Sequence, residues 1–159
     1  MTSRPIQILD TTLREGEQTP GVSFTIEQKI KIVNLLCDFG VDYIELGHPA
    51  VSRDIYNTIS EINKLDIGPE TVVHSRLKKV DINDAIDLKS TWVGLFFDVS
   101  KERLFAKYGI NEERSLELIK ESISYAKNNG LKIRFTAEDA ARTDLDYLLK
   151  IGKLVEDAG

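Results

Sequence analysis

At 159 residues, with 42% hydrophobic and 30% charged side chains, the chain has the size and balance of one soluble globular domain with a sizeable core. A net charge of −5 and a pI near 5.1 argue against nucleic acid or an anionic membrane as the main partner, and no basic patch interleaved with aromatics is present. The one cysteine, Cys37, excludes an intrachain disulfide. On the apolar side of a helix it reads as a core residue, which fits a reducing cytoplasm. With no apolar run long enough for a membrane span and no N-terminal apolar targeting segment, a cytoplasmic protein is expected.

In chain order, Ile6, Ile8 and Leu9 make an apolar run that predicts a short buried strand. It leads directly into Asp10, Arg14, Glu15, Glu17 and Gln18, where Gly16, Pro20 and Gly21 break regular structure. Thr25 and Gln28 have the spacing of a capping box and start a helix over 25–39 with the stripe Ile26, Ile30, Val33, Leu36 and Cys37; Gly40 stops it. A second strand covers 41–47. A helix from about Ser52 to Lys64 carries Ile55, Ile59 and Ile62. A third strand over 71–74 precedes a short helix from Asp81 to about Leu88. Residues 92–97 form a near-continuous apolar run, the mark of a strand buried on both faces. A longer connection with Arg103, Lys107 and Tyr108 then leads to a helix capped by Asn111, with Leu116, Ile119, Ile123 and Ala126 on its stripe. A fifth strand covers 131–136, and a last helix begins near Asp144 with Leu145, Leu148, Leu149 and Val155. This alternation predicts an α/β domain with a parallel sheet and right-handed crossovers in one continuous unit over 1–159.

The segment Asp-Thr-Thr-Leu-Arg-Glu-Gly-Glu-Gln-Thr-Pro-Gly-Val, starting at Asp10, resembles the N-terminal motif of the isopropylmalate synthase/homocitrate synthase family of DRE-TIM metallolyases. Glu15 after Arg14 leans towards the homocitrate synthase branch, as does Leu46-Gly47-His48-Pro49-Ala50-Val51-Ser52. The resemblance implies a (β/α)8 TIM barrel. Only five β/α units are present, so the expectation is an incomplete barrel that stops just before a sixth strand after Asp157-Ala158-Gly159. Unpaired strand edges would favour homo-oligomers.

In a barrel, chemistry collects where strands end in loops. The candidates are Asp10/Arg14/Glu15, Glu45/His48, His74/Arg76, Asp98/Ser100 and Arg134/Thr136/Glu138. Glu45, between Ile44 and Leu46, requires a partner such as Arg14 or Arg134, which is compatible with structural pairing or with substrate-site electrostatics. His48 either faces the pocket or caps backbone. Asp98 reads as a loop acid or helix cap. Arg134 reads as a carboxylate ligand or as half of an internal ion pair with Glu45 or Glu15, and His74 alone reads as a hydrogen-bonded structural residue. The resemblance implies that Arg14, Gln18, His74, Arg134 and Thr136 bind substrate, that Arg14 and Glu138 are catalytic, and that Glu15 ligates a divalent metal (Mg2+, Mn2+ or Zn2+). It also implies condensation of acetyl-CoA with 2-oxoglutarate in lysine-type biosynthesis, with small molecules as the only partners besides further copies of the chain. The family completes its metal site with a His-x-His pair, whereas His48 and His74 are the two histidines here, so an inactive fragment is expected. Two alternatives stand beside this: a related 2-isopropylmalate or citramalate-type synthase using another 2-oxo acid, and a non-catalytic barrel piece that binds ligand or self-associates.

Overall fold

The computed structural model describes residues 6–159. Five parallel strands pair strictly in chain order: β1 (Leu9–Asp10), β2 (Tyr43–Gly47), β3 (Glu70–Arg76), β4 (Trp92–Asp98) and β5 (Lys132–Glu138). The sheet is curled, as the first five strands of a barrel are. The crossovers carry the helices α1 (Ile26–Phe39), α2 (Arg53–Ile62), α3 (Lys79–Asp87) and α5 (Glu112–Asn128), and α6 (Leu145–Ala158) follows β5. Between β4 and α5, the single turn α4 (Lys101–Arg103) runs into a π-helical turn over Leu104–Tyr108.

Helix starts follow local hydrogen-bonding chemistry. The Thr25–Gln28 capping box is formed in both directions, Ser52 accepts from the Ile55 amide, and Asn111 accepts from that of Arg114. Each satisfies an amide that has no partner within its helix. Gly40 ends α1 at φ 87°, in the left-handed region that favours glycine.

Period-two alternation sorts the strand residues onto two faces. Ile44, Leu46, Val73, Val93, Leu95 and Phe97 are buried under Val33, Ile59, Ile62, Ile82, Ile119 and Ile123 of the helices. This outer face holds the core. The concave face presents Glu45, His74, Gly94 and Arg134, with His74 opposite Gly94 and Gly94 opposite Arg134 in the strand register.

Several sequence expectations need correction. Regular pairing in β1 begins only at Leu9, because Ile6 and Ile8 lie at an edge with one neighbour and are exposed; Ile8 is tied down through its carbonyl to the amides of Asp42 and Tyr43. Helix α3 starts two residues before Asp81. In α6 the buried residues are Tyr147 and Ile151, whereas Leu145 and Leu149 are exposed, since the helix packs through one side against α5. Cys37 is half-buried against the core.

Candidate functional site

Glu45 is the centre of the concave face. It has no exposed surface and lies where β2 slips register against β3, between Glu45 and Gly47, with Gly47 at φ 127°. One of its oxygens, Oε2, accepts from Arg14 Nε at 2.8 Å. The other, Oε1, accepts from Arg134 Nη2 at 2.6 Å and lies 2.8 Å from His74 Nε2. A histidine tautomer protonated at Nε2 satisfies that contact. His74 Nε2 and Arg134 Nη2 are themselves 3.0 Å apart, two donors converging on one oxygen. Burial pushes the Glu45 carboxyl up, but the hydrogen bond and charge of His74, the Arg14 hydrogen bond and the Arg134 charge outweigh it, leaving the pKa at about 2.

Gly94 makes this convergence possible. A Cβ there would lie 3.0 Å from the His74 ring and 3.4 Å from Arg134 Nη2. The two side chains meet across the space that any other residue would fill.

The predicted site residues divide into those that converge on Glu45 and those placed around it. Arg14, His74 and Arg134 converge. Glu15 is exposed and accepts from Arg14 Nη1. Gln18 ends the 3-10 turn Gly16–Gln18 and lines, with Arg14 and His48, a cavity of about 760 Å³ between the β1 loop and α2. Thr136 lies two residues beyond Arg134, on the same face and exposed. Glu138 is half-buried at the end of β5, opposite Asp98 in the register. Among the described residues, Arg14 Nη2, Arg134 Nη1 and the Glu138 carboxylate have no hydrogen-bond partner. Arg134 Nε is buried without one.

Two networks at the strand ends were not foreseen. Asp81, in the first turn of α3, receives Arg76 in a fork, Nε at 2.5 Å and Nη2 at 3.0 Å, with His48 Nε2 at 3.4 Å. Burial raises the Asp81 pKa, but Arg76 and His48 reverse this and hold it low. Burial lowers that of His48 despite Asp81. The Phe96 ring lies between the two imidazoles, stacked on His74 at 5.1 Å and edge-on to His48 at 5.6 Å. His48 therefore bonds a carboxylate rather than capping backbone. Asp98 is neither a loop acid nor a helix cap: it ends β4, fully buried, and accepts from Arg103 (2.6 Å), Lys107 (2.6 Å) and Tyr108 (2.9 Å). The sequence signal was an acid closing a strand buried on both faces, followed by a cationic loop. Beside it, Ser100 donates to Asp139.

Among the described residues no three His, Cys, Asp or Glu side chains converge on a point where a metal ion fits. Glu15 faces solvent and His74 is engaged by Glu45, so the donors present do not by themselves form a divalent-metal site. No helix among the described residues is long and apolar enough to cross a membrane.

A family profile described as HMGL-like matches residues 5–159. The chain is 53% identical over 158 residues to a homocitrate synthase from Sulfurisphaera tokodaii and 51% identical over 158 residues to one from Saccharolobus islandicus. Each alignment covers 97% of this chain and 34% of the relative, so the chain spans about a third of the length of these curated relatives. The fold is similar to the crystal structure of the HMG-CoA lyase from Bacillus subtilis, with a TM-score of 0.77 at 18% identity, over 97% of this chain and 55% of the other.

Proposed function

Because the chain belongs to the HMGL-like family, we propose that its concave face is the 2-oxo acid site of a homocitrate synthase-type enzyme. That enzyme condenses acetyl-CoA with 2-oxoglutarate in lysine-type biosynthesis. The observation that carries this reading is the pair Arg14 and Arg134, held by one buried carboxylate and each retaining an unpartnered terminal nitrogen. Two planar cations on the same acceptor suit a ligand that offers carboxylate oxygens in bidentate geometry. His74 and Thr136 add further hydrogen-bonding groups beside them.

In the condensation, removal of a proton from the acetyl methyl group gives an enolate. Its carbon bonds to the oxo carbon while the carbonyl π electrons move to oxygen, and water then cleaves the thioester to release CoA. Glu138, half-buried with a carboxylate free of protein partners, is the group we assign to that proton. Arg14 is assigned to the charge developing on the oxo oxygen. Glu15 would be one ligand of the family's divalent metal, which would supply a Lewis acid for the oxo group, and the described residues do not complete its shell. The 159 residues are therefore expected to bind the oxo acid without efficient turnover.

Calorimetric titration of the chain with 2-oxoglutarate, 2-oxoisovalerate and pyruvate tests the reading. The expected result is preferential binding of 2-oxoglutarate, weakened at least about tenfold by Arg134→Ala. Tighter binding of a monocarboxylic oxo acid would assign a sister synthase instead. Absence of binding by all three would leave a non-catalytic role.

A further inference from the structure

We infer that Glu45 is the positioning residue of this site: it fixes the direction of both arginines towards a bound carboxylate without touching the ligand. The inference rests on the 2-oxo acid reading above. Glu45 has no exposed surface, so a ligand on the concave face meets the arginines and not the carboxylate. Among the described residues it is the group that joins the β1 loop, β3 and β5, through Arg14, His74 and Arg134. Arg14 is bound at Nε and Nη1, which orients the plane of its guanidinium and leaves Nη2 over. Arg134 has no other acceptor among the described residues: its Nε is buried and unpartnered, and its Nη2 contacts Glu45 and the His74 ring. Removing Glu45 leaves that guanidinium free to rotate. Gly94 puts no side chain of its own in the way of that rotation.

Three roles for Glu45 give different signs. A purely structural carboxylate, when replaced, lowers stability and leaves the affinity of the folded protein unchanged. A charge counterweight, when replaced, tightens anion binding, since a negative charge next to the site is gone. A positioning group, when replaced, weakens it.

The test uses the whole chain with Glu45→Gln, which removes the charge, and Glu45→Asp, which keeps the charge and shortens the reach. The expected result is 2-oxoglutarate affinity at least about tenfold weaker in both, with thermal melts showing a folded protein. Unchanged or tighter binding in the folded variants overturns the inference. A second readout needs no ligand: the side-chain Nε–H resonance of Arg14, assigned with Arg14→Lys and protected from exchange in the wild type, is lost in both variants. Its persistence overturns the inference. If Glu45→Gln does not fold, Glu45→Asp carries both measurements. If the wild type binds no 2-oxoglutarate, the proposed function fails, while the Arg14 resonance still decides the role of Glu45.

Discussion

Glu45 shows how a buried acid remains charged. Burial alone would push its proton affinity up, and three donors on two oxygens pull it down to about 2 from an ordinary value of 4.5. A lowered native pKa means that the unfolded chain takes up the proton first as pH falls. The stabilisation is therefore complete above about pH 4.5 and is lost as pH drops from there towards 2. At about 1.4 kcal/mol per pH unit the gap amounts to about 3 kcal/mol. Urea unfolding across this range is expected to show a steep loss in the wild type and a shallower one in Glu45→Gln. Parallel curves would mean that other acids carry the acid sensitivity. At this scale the sequence was partly legible. An acid between Ile44 and Leu46 had to be paired, and Arg14 and Arg134 were its natural candidates. That both arginines and His74 share it depends on the space over Gly94, which a one-dimensional pattern does not display.

Among elements, the segment after β4 has the most unusual build. A single α-turn becomes a π-turn and ends at Gly109, φ 65°. Such turns are uncommon and need local support. Asp98 supplies it, accepting from Arg103, Lys107 and Tyr108 across the whole segment. Replacing it with asparagine removes the charge that three donors share. Asp98→Asn is expected to speed amide hydrogen exchange over residues 101–109 while α5 stays protected; unchanged exchange would show that the apolar anchor Leu104, itself buried, suffices. Local signals read well here and long-range ones did not. The Thr25–Gln28 box, the Asn111 cap and the α5 stripe depend on neighbours three or four residues away, and all are formed as read. The inner side of α6 depends on where α5 stands, so Tyr147 and Ile151 took the buried places. The Asp81 and Asp98 partnerships likewise depend on how a strand end meets the turn that follows it.

At the scale of the molecule, the parallel sheet was legible from the alternation of apolar strands and striped helices, and its barrel character from the resemblance of the first loop. The described residues leave β5 paired on one side, with Leu145 and Leu149 of α6 exposed at the same end of the helical layer. An unpaired strand beside apolar surface is a template for association. The 159-residue chain is expected to sediment with a mass that rises with concentration, and Leu145→Lys with Leu149→Lys is expected to shift it towards the monomer. A concentration-independent mass in the wild type would show that this end stays solvated.

Strand order has one more effect. Because β1 to β5 join only their neighbours in the chain, no strand must wait for a distant stretch of polypeptide before it finds its place. The five units can zip up one after another as they are made, and they can peel away from either end while the middle stays closed. The carboxylate knot around Glu45 opposes that peeling, since its cords run from the first unit to the fifth: fraying at β1 or β5 pulls out Arg14 or Arg134 and leaves a buried anion short of a partner. Whatever breaks the contacts of Glu45 thus also loosens the two margins of the sheet.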